Sequence, residues 1–293
     1  MSNEPTMQPP GEQGAQAVEP HVSGTQGVVG VNGQQLYYEV HGSGAPLVLV
    51  MGIGYDATLW AQQVPTLSQH YRVIVFDNRD SGRSSRASRS YSIADMADDI
   101  VGLLDALNIG RTHLLGISMG AMIAQEFAIR HPERLDRLIL TGTAACTARA
   151  QFDAIQSWAF VKTHDAEGLS FASQQFVWLF SDDFLRNEHA VAQTLEMLGS
   201  NPHPVGADAY RRQADAYLAH DTLDRLGDVL APTLVVAGER DRLTPPWTCR
   251  EVADAIPDSC FVVVEGPGAS HVLPLERPDD FNTLVLDFLG ATQ

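Results

Sequence analysis

The sequence predicts an α/β fold, in which a mostly parallel, eight-stranded sheet is flanked by helices and carries a helical insertion. Continuous apolar runs such as 46–51 and 71–76 are typical of strands buried on both faces of a sheet. Helical patterns separate these runs, and strands that alternate with helices are joined by right-handed crossovers into a parallel sheet. The first two strands differ, because Asn32-Gly33 favours a tight turn between antiparallel strands.

The elements follow in order along the chain. The predicted strands are 27–31, 35–41, 46–51, 71–76, 112–116, 137–141, 233–237 and 261–264. A helix is expected at 92–107, where Ser92 is a suitable N-cap. Another is expected at 119–130, ending before His131-Pro132, and an amphipathic helix at 281–289 closes the chain.

The insertion at 145–226 interrupts the alternation, because its patterns are helical and lie between two strands expected to be neighbours. We therefore predict a core at 25–144 and 227–293, a helical lid (cap) at 145–226 and a disordered tail at 1–24. Aromatic residues are frequent in the predicted lid. They form either its own small core or part of an apolar pocket, and both can hold for different faces of one helix. The candidates for substrate contact there are Trp158, Phe176 and Trp178.

Composition limits the partners. The formal net charge of −17 argues against nucleic acid, which needs clustered Lys and Arg, and against anionic membrane surfaces. The chain has no apolar run long enough to span a membrane, and its first residues do not resemble a signal peptide, so we expect a cytoplasmic protein. Three scattered cysteines, Cys146, Cys249 and Cys260, suggest neither a disulfide framework nor a metal site.

The clearest chemical motif is G-x-S-x-G at 116–120, with Ser118 at its centre. It directly follows an apolar strand and directly precedes a helix, which is the context that a nucleophile elbow requires. The turn is sharp, so side chains at either glycine would crowd the serine backbone. A structural turn is the alternative. The motif predicts Ser118 as a nucleophile, with the helix N-terminus directed at the developing oxyanion.

A serine hydroxyl needs a base, and the base needs an acid to orient it. Among ten histidines, His271 stands out because it follows the last predicted strand in a glycine-rich loop. Asp241 follows the preceding strand, so both side chains belong to the carboxyl edge of the sheet, where sites of such folds form. Glu239 and Asp228 are rival acids, and Asp241 could instead only cap the next turn.

Three further segments complete a family pattern. DNRDSGRS at 77–84 resembles a D-x-R-G-x-G-x-S loop, APTLVVAG at 231–238 with Asp241 resembles an acid-bearing strand, and His271 precedes an E-x-P motif. Together with the serine motif, in this order, they resemble the α/β-hydrolase superfamily from about residue 27 to 290. The resemblance implies Ser118, Asp241 and His271 as the catalytic triad, and a helical lid after the sixth strand.

Two departures bear on the substrate. Met51-Gly52 stands where the family often has His-Gly, which leaves the backbone N–H groups of Ile53 and Met119 as the implied oxyanion donors. Asp80 and Ser270 stand where glycines are frequent. The Met-Gly variant is similar to methylesterases of aromatic polyketide biosynthesis.

These residues predict a serine hydrolase that cleaves an ester or lactone of an apolar small molecule, without metal or organic cofactor. Gly52, beside the predicted oxyanion donor, and the aromatic lid residues are the expected substrate contacts. Cofactor-free cleavage of a carbon–carbon bond, or perhydrolysis, would use the same triad. A non-catalytic ligand-binding member of the fold is the remaining alternative.

Overall fold

The structure, a computed structural model, describes residues 24–164 and 169–290, so all but the last residue of the predicted tail lie outside the described residues. Eight strands form one sheet in the order β1-β2-β4-β3-β5-β6-β7-β8. The pairs β1–β2 and β2–β4 are antiparallel, and all other neighbours are parallel. The sheet is therefore mostly parallel, as predicted. The strands are β1 Thr25–Val31, β2 Gln34–His41, β3 Pro46–Val50, β4 Arg72–Phe76, β5 Thr112–Ile117, β6 Leu135–Thr141, β7 Thr233–Gly238 and β8 Ser259–Val264.

The helices occupy the connections between strands. They are α1 Val64–Leu67, α2 Ile93–Ala106, α3 Met119–Arg130, α4 Arg149–His164, α5 Leu169–Leu179, α6 Asp182–Leu185, α7 Glu188–Gly199, α8 Ala207–Leu218, α9 Pro246–Ala255, α10 Leu273–Glu276 and α11 Pro278–Leu289. Short 3₁₀ turns lie at Ala57–Trp60, Pro132–Arg134 and Leu223–Asp228.

Local sequence explains several boundaries. Asn32 and Gly33 have φ values of 48° and 76°, which is the left-handed pair that a two-residue turn between β1 and β2 requires. Helix α2 begins with a capping box, in which the Ser92 side chain accepts from the Asp95 N–H and the Asp95 side chain accepts from the Ser92 N–H. The predicted N-cap is therefore the observed one.

The sheet is buried on both faces, as its continuous apolar strands predicted. Along β3, Val48 and Val50 pack with the helices on one face, while Leu47 and Leu49 pack with those on the other. All four side chains are fully buried. A slip of β3 by one residue would exchange these side chains between the two helical layers, so close packing against both layers favours the observed register.

The insertion at 145–226 connects β6 to β7, which pair directly in the sheet. Its described part contains five α-helices, α4 to α8, and one isolated bridge between Cys146 and Asp221. None of the helices in the described ranges is both long enough and apolar enough to cross a membrane.

Candidate active site

Ser118 lies at the single-residue turn between β5 and α3, with the strained backbone angles φ 56° and ψ −123°. Two glycines make this turn possible. A Cβ at Gly116 would lie 2.3 Å from the carbonyl oxygen of Gly120, and a Cβ at Gly120 would lie 2.1 Å from that of Val50. Both contacts are with backbone, which cannot move aside. The glycines of the motif are therefore steric requirements for presenting the Ser118 side chain at the end of the strand.

His271 and Asp241 meet beyond the ends of the last two strands, where Asp241 follows β7 and His271 follows β8. His271 Nδ1 lies 2.8 Å from Asp241 Oδ2, and both residues are buried. Asp241 Oδ1 accepts hydrogen bonds from the N–H groups of Leu243 and Thr244 at 2.9 and 2.8 Å. A carboxylate at Nδ1 fixes the proton there and leaves Nε2 as the basic nitrogen.

The rival acids lie elsewhere. Glu239 is exposed, and its carboxylate accepts from the Gly266 N–H at 2.9 Å. Asp228 is exposed at the end of a 3₁₀ turn before β7. Among the acids that the sequence left open, Asp241 is the one that the structure places against His271.

Thr244 is a third member of this cluster that the sequence did not predict. Its hydroxyl donates to Asp241 Oδ2 at 2.6 Å and lies 3.0 Å from His271 Nδ1. Gly142, with φ 57°, lies against the ring, since a Cβ there would be 3.1 Å from His271 Nδ1. The imidazole is therefore held in place from several sides.

Ser118 and His271 line the same pocket. No hydrogen bond joins their side chains within the described part of the chain. Such contacts are often long without substrate and tighten in the reactive complex.

The segment carrying Gly52 and Ile53 runs directly beside the serine. A Cβ at Gly52 would lie 3.1 Å from Ser118 Cβ and 3.6 Å from its Oγ. Asn78 fixes the segment by donating from Nδ2 to the Met51 carbonyl at 2.9 Å. Met119 is the first residue of α3, immediately after Ser118. The backbone segments that carry the two predicted oxyanion donors therefore lie next to Ser118.

Two side chains of α8, in the insertion, bond the loops that follow β3 and β4. Buried Gln213 accepts from the Gly54 N–H at 2.9 Å and donates to the Arg79 carbonyl at 3.1 Å. Arg212 makes a bidentate ion pair with Asp80, with distances of 2.8 and 2.7 Å. Asp80 is the residue that stands where relatives often carry glycine, and it adopts φ 68°. Its carboxylate therefore joins the insertion to the sheet.

A second anchor reaches the histidine loop. Glu276 accepts from the Ser270 hydroxyl and from the Ser181 hydroxyl, both at 2.5 Å. Ser181 is the N-cap of α6, and Ser270 directly precedes His271. The glutamate of the E-x-P motif thus links the insertion to the side chain of Ser270, the residue before the predicted base.

The pocket wall opposite the sheet comes from the insertion and is mostly apolar. Of the predicted substrate contacts, Gly52 and Trp158 line the pocket. Phe176 and Trp178 are not among its lining residues. Phe176 instead packs against Phe180, with ring centroids 4.7 Å apart, while Trp178 lines a groove between α4 and α5. Other lining residues from the insertion are Gln175, Leu179, Phe180, Thr194, Met197 and Leu198.

A strained serine at a strand–helix turn, with a buried acid and histidine at later strand ends, is the arrangement typical of α/β-hydrolase sites. The family model for the alpha/beta hydrolase fold matches residues 45–278, and the chain belongs to this family. Within the described residues, no cluster of three or more His, Cys, Asp or Glu side chains is arranged to hold a metal ion.

Several proteins to which the chain is similar carry the names of hydrolases. It is 31% identical over 87% of its length to the Azorhizobium caulinodans protein named "Putative carbamate hydrolase RutD", of which it covers 95%. The Burkholderia xenovorans enol-lactonase is 29% identical with a TM-score of 0.82, covering 90% of this chain and 100% of that one. A thermophilic esterase from Thermogutta terrifontis is 29% identical with a TM-score of 0.80, at coverages of 91% and 98%.

Proposed function

We propose that the protein is a serine hydrolase that cleaves carboxylic esters or lactones of apolar small molecules through an acyl-enzyme on Ser118. One observation carries the proposal: the strained Ser118 shares a pocket with His271, whose Nδ1 is bonded to buried Asp241. The names of the lactonase and the esterase among its relatives support the same class of bond.

In the proposed reaction, His271 Nε2 takes the proton of Ser118 as the oxygen attacks the substrate carbonyl. Asp241 stabilises the imidazolium that forms. The N–H groups of Ile53 and Met119 donate to the oxyanion, where loss of one donor typically lowers the rate by about 10²–10³. The histidine then returns its proton to the leaving oxygen, and a water activated by the same base releases the acid.

The test is hydrolysis of p-nitrophenyl butyrate by wild type and by Ser118→Ala, with circular dichroism as the check on folding. We expect turnover to fall by at least about 10⁴, since removal of a triad member leaves only the binding and oxyanion contributions. Labelling of Ser118 by a fluorophosphonate provides a second readout. A folded Ser118→Ala variant that still turns over the ester would exclude the proposal.

Carbamate cleavage is the second candidate, because the name of the RutD relative attributes that activity to it. Attack on a carbamate carbonyl would use the same triad and the same oxyanion donors. A panel of one p-nitrophenyl ester, one γ-lactone and one N-alkyl carbamate of matched size separates the candidates. We expect the ester or the lactone to have the higher kcat/KM, because an N-alkyl carbamate would bury an additional N–H group in a lining that is mostly apolar.

A further inference from the structure

Thr244 contacts both the predicted acid and the predicted base, but the proposed reaction gives its hydroxyl no role. Its Oγ1 lies 2.6 Å from Asp241 Oδ2 and 3.0 Å from His271 Nδ1, and these two atoms lie 2.8 Å apart. All three side chains are buried, and Thr244 is fully buried. Three polar atoms from three residues thus form one closed contact on the Nδ1 side of the imidazole ring.

The hydrogen bonds of the Asp241 carboxylate are divided between its two oxygens. Oδ1 accepts from the backbone N–H groups of Leu243 and Thr244, at 2.9 and 2.8 Å. Among the described residues, Oδ2 has only side-chain partners, the Thr244 hydroxyl and His271 Nδ1. A carboxylate can accept about four hydrogen bonds, so these donors fill it. Thr244 supplies two of the four, one from its backbone and one from its side chain.

The hydroxyl of Thr244 has one proton and can donate to one acceptor at a time. While Nδ1 of His271 carries a proton, it offers the hydroxyl no lone pair, so the hydroxyl donates to Asp241 Oδ2. The lone pairs of Oγ1 then remain for the Nδ1 proton, which has two oxygens near it, at 2.8 and 3.0 Å. Both oxygens favour the tautomer that is protonated at Nδ1, which leaves Nε2 as the base.

We propose that Thr244 is a positioning residue whose hydroxyl holds Asp241 Oδ2 against His271 Nδ1. This contact keeps Nε2 of the histidine aligned to take the Ser118 proton. The proposal rests on the proposed function, because the alignment of Nε2 matters to catalysis only if Ser118 is the nucleophile. Thr244 is not among the residues described as lining the pocket. Its hydroxyl therefore acts through the acid and the base and not on the substrate.

The test removes the hydroxyl while keeping the size of the side chain. Thr244→Val keeps the branched shape and loses the hydroxyl, whereas Thr244→Ser keeps the hydroxyl. With p-nitrophenyl butyrate we expect kcat of Thr244→Val to fall by about 10- to 100-fold, the usual effect of losing a hydrogen bond to a charged group. KM should change little, because the same histidine serves acylation and deacylation. Thr244→Ser should have nearly the wild-type kcat.

Thr248→Val is the matched control. Thr248 is also buried, and its hydroxyl donates to the carbonyl oxygens of Thr143 and Pro245 at 3.1 and 2.9 Å. Its loss should lower the thermal midpoint of unfolding and leave kcat unchanged, because these bonds do not involve the acid or the base.

Three outcomes overturn the proposal. Thr244→Val could keep the wild-type kcat, Thr244→Ser could lose as much kcat as Thr244→Val, or the Thr248→Val control could lose as much. Circular dichroism checks that each variant is folded. If valine is not accommodated, Thr244→Ala takes its place, because it differs from Thr244→Ser only in the hydroxyl.

A second readout does not need Ser118 to act. Proton nuclear magnetic resonance detects the Nδ1–H of His271 as a far-downfield resonance that is absent from His271→Gln. We expect this resonance in wild type and in Thr244→Ser, and faster exchange of the proton with water in Thr244→Val. That result supports the positioning role even if wild type hydrolyses no ester. Equal exchange in wild type and Thr244→Val, or no resonance in wild type, contradicts it even if Ser118 proves to be the nucleophile.

Discussion

The two walls of the pocket are built differently. The sheet wall consists of strand ends, and its polar groups are fixed by backbone geometry and by bonds between near neighbours, such as Asp241 with the Thr244 N–H at 2.8 Å. The insertion wall consists of helices, and its polar groups are fixed by side chains that bond residues far along the chain. Gln213, for example, bonds the Gly54 N–H, and Arg212 bonds Asp80.

This difference suggests a division of roles, in which the sheet wall attacks the bond and the insertion wall selects the substrate. The sheet wall holds Ser118, His271 and Ile53, and Met119 directly follows the serine. Groups in these roles can serve many acyl substrates. The insertion wall supplies Trp158 and Gln175, together with aliphatic side chains such as Leu179. Substitutions in the two walls should therefore differ in size and in kind.

The largest effect is expected at the serine turn. In Gly120→Ala the new Cβ would meet the Val50 carbonyl oxygen at 2.1 Å, and neither backbone can yield without shifting β3 against α3. We expect the free energy of unfolding to fall by more than about 3 kcal/mol, at the upper end for overpacked sites. Urea denaturation followed by circular dichroism measures it.

The control is Gly110→Ala, where a Cβ would meet nothing within 4 Å. We expect its free energy of unfolding to stay within about 0.5 kcal/mol of wild type. If the two alanine variants are equally stable, then the serine turn is not sterically fixed and the proposed contrast between the walls is lost.

Much of the sheet wall could be predicted from the sequence, because its signals are local. The apolar runs fix the strands, the glycines around Ser118 fix the turn, and the order of Asp241 and His271 after later strands places them at one edge. Helix α3 begins and ends at the predicted residues, Met119–Arg130. Thr244 was missed because its role depends on a turn that brings it back onto Asp241.

The insertion wall could be predicted only as helices. Periodicity shows that one face of a helix is apolar but does not say whether that face meets the pocket or another helix. Trp158 meets the pocket, whereas Phe176 packs against neighbouring aromatic rings. Asp80 was recognised as a departure from the family pattern, but its partner Arg212 lies 132 residues away. No local signal joins the two residues.

The next effect in size tests that long-range pair. In Arg212→Met the fully buried carboxylate of Asp80 loses its cation. Among the described residues it keeps the Ala87 N–H and the Tyr91 hydroxyl as donors. Loss of one partner of a buried pair typically costs 3–5 kcal/mol. Because Arg212 is 21% exposed, we expect a smaller loss, about 2–3 kcal/mol, in urea denaturation.

Arg211→Met is the matched control. Arg211 precedes Arg212 on α8 and makes an exposed ion pair with Asp215, with the two side chains 49% and 50% exposed. Pairs of this kind contribute about 0.3–0.5 kcal/mol. Equal destabilisation by the two substitutions would mean that the insertion is not anchored through Asp80.

The smallest effect concerns His220, where the insertion returns to the sheet. Its side chain is only 5% exposed, and burial lowers its pKa to about 4. Nearby Glu126 and Asp221 oppose this shift, and Arg225 adds to it. The folded protein thus resists a proton that the unfolded chain accepts near pH 6.5.

The contribution of His220 to stability is therefore present above pH 6.5 and is lost as the pH falls towards 4. We expect the free energy of unfolding of wild type to fall between pH 7 and pH 5 by about 2 kcal/mol more than that of His220→Gln. His203→Gln, at an exposed position of the insertion, should keep the wild-type pH dependence. If His220→Gln also keeps the wild-type pH dependence, then His220 is open to water where the insertion meets the sheet. The insertion would then be held by the Arg212–Asp80 ion pair and the hydrogen bonds of Gln213, and not by burial of His220.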